Sequence, residues 1–390
     1  MLEKEILTLM YQDFKVLSFE VDYKKERIRI IEKLEHFDKA PYGVIEDDSR
    51  LMRFFNARIL SVQRSDYEAI LKATKCKSGF ELSFKGHGLS LANHYWFKRE
   101  GEDLKYGDIN FFTNKWDDTF GRAVLSGDYE ALKTCDLNVP DIVTPGWGVK
   151  GWIYDNGPKL YKLGIHNEHP EEAICEVLAA KLASRLLSPE EVLQYELKTI
   201  NGKYASVSKP LITVDEELVP LSVLLPPDWY LMFKEKNANR DLRKEFFKKV
   251  ENYGMPELYQ FFVKVSCLRT LCFISDLHFD NLSAIRDMKT GKLKMAPLYD
   301  LGGAFGSSES GKSMITNANK GTLLIIYFMF GDLSPDWDYS WYKPEKLIGI
   351  EDEIREYLSK SDFYNPEIIN CVIEIYHQQK KTLDEIAKKI

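Results

Sequence analysis

A chain of 390 residues is longer than one hydrophobic core usually organises, so two or three lobes, with a cleft between them, are expected. With 44% apolar and 29% charged residues it is no intrinsically disordered chain, and a formal net charge of -7 argues against a whole-surface footprint for DNA or RNA, though not against a local basic groove. Cys76, Cys135, Cys175, Cys267, Cys272 and Cys371 are scattered without CxxC spacing, no stretch reaches the roughly 20 apolar residues of a membrane span, and the N-terminus MLEKEILTLM carries acids where a signal peptide is basic; reduced thiols and a cytoplasmic protein are expected.

In chain order, residues 15–39 combine strand-like alternation (Leu17, Phe19, Val21) with a charged, helix-like stretch, and 49–75 is helix-rich. Residues 88–121 are rich in aromatics and turn formers, which predicts short strands and loops, with Tyr95, Trp96, Phe111, Phe112 and Trp116 used in packing rather than as an exposed face. From residue 149 the pattern tightens. Two β-prone runs at 151–154 and 159–163 flank Asp155-Asn156-Gly157-Pro158, a hairpin signal, and Pro170-Glu171-Glu172 opens a helix running to about 187. Strands at 194–199 and 204–213 follow, joined at Asn201-Gly202. After Pro226-Pro227 the chain is mainly helical, at 240–252, 256–274, 344–359 and 365–388, with no internal repeat.

The strongest local constellation is Ile274-Ser275-Asp276-Leu277-His278-Phe279-Asp280-Asn281, followed by Pro297-Leu298-Tyr299-Asp300-Leu301-Gly302-Gly303. Leu258, Phe261, Phe262, Val265, Leu268 and Cys272 give the preceding helix a buried face, which brings Asp276 out at its C-terminal end, where an acid opposes the helix dipole and so is held by something other than helix stability. Residues 283–286 and 293–298, turning at Lys289-Thr290-Gly291-Lys292, form a hairpin that returns Asp300 toward Asp276 and Asn281. Phosphoryl transfer uses such a set: a carboxylate to orient a hydroxyl and take its proton, and oxygen ligands from an Asn and a second Asp to hold Mg2+. D-x-x-x-x-N is the spacing of kinase catalytic loops, and D-x-G their metal motif. Alone, Asp276 capping a turn and Asn281 satisfying a loop would explain those residues as well.

Upstream residues add weight. Lys162 lies within an apolar strand, where a lysine is costly unless paired or turned outward, and Glu176 lies on the following helix between the small residues Ala173 and Ala180, so the two can meet and the lysine can be held toward phosphates. Thr144-Pro145-Gly146-Trp147-Gly148-Val149-Lys150-Gly151 supplies glycines for close backbone approach to phosphate.

In order along the chain, the blocks at 88–96, 108–112, 146–150, Lys162, 175–179, 217–219, 276–281 and 297–302 resemble those of the HipA-like serine/threonine kinases, particularly the branch common in Gram-positive bacteria, from about residue 45 to the end. The resemblance implies an α+β, two-lobed, protein-kinase-like fold: an N-terminal accessory region at 1–139, an N-lobe with a small sheet and one helix at 140–217, and a mainly helical C-lobe at 218–390. It implies ATP and Mg2+ as cofactors, Asp276 as catalytic base, Asn281 and Asp300 as metal ligands, Lys162 as the phosphate-contacting lysine with Glu176 as its partner, and Gly146, Gly148 and Lys150 in the phosphate loop. The strand beginning at Tyr204 would lead to the adenine hinge. A protein substrate carrying Ser or Thr is implied, and an antitoxin-type DNA-binding protein is the partner class to test. The chain departs from the family blocks at Cys175, at Ile274-Ser275 and at Trp147.

Two alternatives remain in view: a kinase-like scaffold that binds nucleotide or a partner without turnover, and a P-loop NTPase. Gly306 to Ser313 matches G-x-x-x-x-G-K-[ST], but a glycine-broken stretch precedes it and a poor helix follows, whereas a P-loop needs a buried strand and a helix N-terminus. The segment is expected to be a mobile activation-type loop. His166 and His169 lack a third ligand, and His278 is expected to be structural.

Overall fold

In the computed structural model of the chain, residues 3–164, 170–226, 228–229, 232, 240–316 and 333–388 are described. Strands β1 (Lys4–Tyr11), β2 (Phe14–Asp22), β3 (Arg27–Lys33) and β4 (Tyr95–Lys98) form an antiparallel sheet in the order β3-β2-β1-β4. Leu7, Leu9, Val16, Leu17, Phe19 and Val21 turn into a core shared with Phe55, Phe84, Tyr95 and Phe97. The charged stretch expected to be helical is instead the edge strand β3. Its Arg, Lys and Glu residues have helix-like composition, but pairing with β2 decides its conformation.

Helices α1 (Arg50–Asn56), α2 (Tyr67–Thr74), α3 (Gly79–Ser83), α4 (Tyr106–Ile109) and α5 (Thr119–Ser126) connect this sheet to the next. Tyr95, Trp96, Phe111 and Trp116 are all buried, as packing residues should be.

The second sheet, in the order β5-β6-β8-β7, comprises β5 (Val149–Tyr154), β6 (Pro158–Gly164), β7 (Glu196–Ile200) and β8 (Lys203–Ser208). Its hairpins turn where the Asp155-Asn156-Gly157 and Asn201-Gly202 signals place them, with Asn156, Gly157, Asn201 and Gly202 all at positive φ. One face shares a core with Trp116, Phe120 and Val124 from the preceding region. The contact is close: a Cβ on Gly121 would lie 2.2 Å from the Trp152 carbonyl oxygen.

Helix α6 (Glu171–Leu186) follows β6 in sequence, yet twelve of its sixteen residues are buried. Apolar nearly all round, it packs chiefly into the core of the later helices. These are α7 (Leu221–Leu224), α8 (Arg240–Glu251), α9 (Pro256–Leu271), α10 (Glu309–Thr316), α11 (Ile350–Leu358) and α12 (Pro366–Ala387). A third sheet, in the order β11-β10-β9, joins β9 (Glu216–Pro220), β10 (Ser283–Asp287) and β11 (Leu293–Met295). β9 runs across position 217, where sequence placed a boundary, and pairs with β10 beyond it. The first region reaches this sheet directly, since the Leu218 N–H donates to the Ala92 carbonyl.

Candidate active site

β6 carries Lys162, with Lys150 opposite on β5 and Ser206 opposite on β8. Glu176 approaches from α6 between buried Ala173 and Ala180, and its Oε1 lies 3.3 Å from Lys162 Nζ, with the carboxylate only 2% exposed. Ser206 Oγ donates to the other Glu176 oxygen, so the acid is fixed from two sides. Burial alone would lower the Lys162 pKa, but the Asp300 and Glu176 carboxylates outweigh it and the ammonium is raised above its ordinary value.

Helix α9 stops at Leu271, short of the expected 274, because Phe273 takes a positive φ of 38° and breaks the helix. Asp276 therefore lies in a loop rather than at the helix end. That loop is tied to the turn after Asp300: Ser275 N–H donates to the Gly303 carbonyl at 3.0 Å, and a Cβ on Gly303 would meet Asp276 Cβ at 3.1 Å. Asp276 is 65% exposed and 3.5 Å from His278 Nε2. The Asn281 side-chain amide closes the loop by donating to the Asp276 carbonyl at 3.0 Å, which leaves its oxygen as a ligand atom.

Asp300 adopts φ 57°, an unusual region for a residue with a Cβ, and its carboxylate pairs with Lys162. Burial would raise the Asp300 carboxyl, yet Lys162 and Lys150 beside it hold it below its ordinary range. A Cβ on Gly302 would come 3.6 Å from Lys162 Nζ. Lys162, Glu176, Asp300 and Gly302 thus meet at one point, with Asp276 and Gly303 adjoining.

The donor types are those Mg2+ takes. The Asp300 carboxylate and the Asn281 amide oxygen are hard ligands, and Mg2+ commonly takes one or two protein oxygens, completing its shell with water and phosphate. Among the described residues no group of three or more His, Cys, Asp or Glu side chains gathers at metal-binding distance.

In the glycine segment, Gly146 has φ 104°, and a Cβ there would lie 2.4 Å from Lys150 Nζ, which reaches back over the loop to the Pro145 carbonyl at 2.7 Å. Burial first, then the Lys162 cation, push the Lys150 ammonium down to about 8. Trp147 stands out from the same loop, 58% exposed.

The literal P-loop stretch has a different structure from the expected mobile loop. Residues 309–316 form helix α10, and Lys312 lies inside it, its ammonium 3.2 Å from buried Glu171 and over the Phe363 ring. No strand leads into the segment; turns at 302–307 do. Residues 317–321 and 323–330, and with them part of the expected loop and the longest apolar run, lie outside the described residues, as do His166 and His169.

Sequence reasoning missed three participants. Ser206 becomes visible only once the strand register sets it opposite Lys162. Ser222, just after β9, donates to Asp280 in the catalytic-type loop, while its carbonyl accepts from Arg53 at 2.9 Å. Tyr195 accepts the Asp300 N–H at 3.2 Å; a tyrosine opening a strand was the only signal for it.

No protein-family model and no curated protein sequence matches the chain. Among solved structures, HipA of Shewanella oneidensis MR-1, determined with HipB and its operator DNA, matches at 11% identity over 98% of this chain and 99% of its own, with a TM-score of 0.52. The Helicobacter pylori proinflammatory kinase CtkA matches at 15% identity over 62% of this chain and 91% of its own, with a TM-score of 0.44. The chain shares the mixed α/β fold of that HipA along nearly its whole length.

Proposed function

We propose that the chain is an ATP- and Mg2+-dependent phosphotransferase, a serine/threonine protein kinase of HipA-like type. The observation that carries this reading is the meeting of Lys162, Glu176 and Asp300, three residues from separate segments, beside the loop of Asp276 and Asn281. Such a cluster has the parts phosphoryl transfer uses, namely a fixed cation, metal-holding oxygens and an exposed carboxylate.

When bound, Mg-ATP supplies the transferable phosphoryl group. Asp276 orients the incoming hydroxyl and takes its proton, and its exposure leaves room for a protein chain to approach. Asn281 and Asp300 would hold the metal, and Lys162, kept aimed by Glu176 and Ser206, would be the cation for the nucleotide phosphates. Gly146, Gly148 and Lys150 would supply the phosphate loop.

On this reading residues 1–139 are an accessory region, 140–217 a nucleotide-binding lobe and 218–390 a catalytic lobe. The substrate is a protein Ser or Thr in the cytoplasm. Likeness along the whole chain to a HipA solved with HipB and DNA supports an antitoxin-type DNA-binding partner. No described helix is long and apolar enough to cross a membrane.

The test is incubation of the protein with γ-labelled ATP, Mg2+ and a cell lysate, wild type beside Asp276→Ala. Labelled protein that requires Asp276 is expected. Nucleotide binding without transfer would make the chain a kinase-like scaffold, and turnover that survives Asp276→Ala but needs Lys312 would make it a P-loop NTPase.

A further inference from the structure

The sheet that carries Lys162 reaches residues 297–300 by a second route besides Lys162 itself. The segment before β7 lies parallel to residues 297–300: Val192 bridges Leu298, Leu193 N–H donates to the Leu298 carbonyl at 2.9 Å, and Leu298 N–H donates to the Glu191 carbonyl at 2.8 Å. Glu191 is itself anchored, by Lys264 of α9 and by the Ser188 N–H. This rail ends on Tyr195, whose hydroxyl oxygen accepts the N–H of Asp300 at 3.2 Å.

Asp300 is in the left-handed region, which a non-glycine residue keeps only where its surroundings impose it. The Tyr195 contact is such an imposition, and it acts on the backbone of the residue whose carboxylate must be aimed.

We infer that Tyr195 is a positioning residue that ties the β7 side of the site to Asp300, fixing the left-handed backbone of Asp300 through its hydroxyl oxygen. This rests on the phosphotransferase reading for its kinetic consequence and on the observed contacts for its geometry. A phenylalanine at 195 keeps the ring and loses this link, so Asp300 should find its metal-holding pose less often while the fold stays.

The experiment compares wild type with Tyr195→Phe by ADP formation from Mg-ATP, with dephosphorylated casein as acceptor, as the Mg2+ concentration is varied. The expected result is a half-saturating Mg2+ concentration raised about 10-fold and a kcat lowered about 10-fold or more, the scale found when partners behind a metal ligand are removed. Metal-free nucleotide binding, KM for casein and melting temperature should stay near wild type. A purely structural role would move the melting temperature and leave the Mg2+ dependence alone. Wild-type Mg2+ dependence and kcat in the folded variant would overturn the inference. An inert wild-type protein would instead remove the phosphotransferase reading, and hydrogen exchange at the Asp300 amide would then decide the positioning role: faster exchange in Tyr195→Phe would uphold it, and an unchanged rate would overturn it.

Discussion

Asp276 and Asp300 sit in opposite surroundings, one in solvent and one against two lysines, so their removal should read differently. Asp276→Ala is expected to lower phosphate transfer at least about 100-fold with an unchanged melting temperature, since an exposed carboxylate contributes little to folding. Asp300→Ala should abolish transfer as well and also abolish the Mg2+ dependence of nucleotide binding; full transfer by either folded variant removes the assignment. Lys162→Ala leaves Glu176 buried with a hydroxyl but no cation, so a loss of about 3 kcal/mol in urea unfolding should accompany the loss of turnover, and Lys162→Ala/Glu176→Gln should recover much of that stability while staying inactive. Lys312→Ala breaks a contact with Glu171 away from this cluster and should keep Mg-ATP binding, measured by calorimetry. Lys150 gives a pH signature. With its ammonium near 8, it is charged below that pH and neutral above, so nucleotide affinity should fall as pH rises from 7 to 9, and Lys150→Met should flatten the profile.

At the scale of elements, β5 depends on a buried acid. Asp141 accepts the Trp152 N–H at 2.8 Å through one oxygen, while its other oxygen is buried without a hydrogen bond, and desolvation pushes the carboxyl up to about 7. An unfolded aspartate titrates near 3.9, so between about pH 4 and pH 7 the folded chain holds the extra proton, and stability should fall across that window and level off above it. Asp141→Asn should remove the slope, measured as urea midpoints from pH 4.5 to 8. The hairpins of this sheet were legible from sequence because turn chemistry is local: Asn156-Gly157 and Asn201-Gly202 sit at the positive φ they suggest. β3 was not legible, since its charged residues suit a helix equally well and only pairing with β2 settles the matter. Helix α10 was hidden for a similar reason, with Gly311 and two serines masking a turn that the Lys312–Glu171 contact stabilises. In the site, Lys162 and Glu176 could be paired by eye because a strand and the next helix hold them. Asp300 reaching the same lysine, and Tyr195 reaching Asp300, depend on tertiary contacts between residues 138 and 105 positions apart, which no local pattern encodes.

Over the whole molecule, the region before residue 140 is built into the site rather than hung beside it. Phe120, Val124 and Trp116 cover the β5–β8 sheet, His94 contacts the Glu216 carbonyl, and Arg53 holds the carbonyl of Ser222, whose hydroxyl grips Asp280. A fragment of residues 140–390 should therefore fail to melt cooperatively and should bind a dye such as ANS, because a sheet face made to be covered would meet water; a sharp transition at the full-length temperature would show the two regions to be separable. Arg53→Ala, far in sequence from Asp276, should lower turnover severalfold with little change in nucleotide affinity. The close seating of Gly121 on the Trp152 backbone carries the same point into another setting. Where two backbones touch without room for a methyl group, neither side can change its course alone, so a genetic exchange with its breakpoint between residues 121 and 152 would have to bring together parents already matched at both positions. The region before residue 140 and the β5–β8 sheet are thus expected to be inherited as one linked block, with successful crossovers falling elsewhere in the chain.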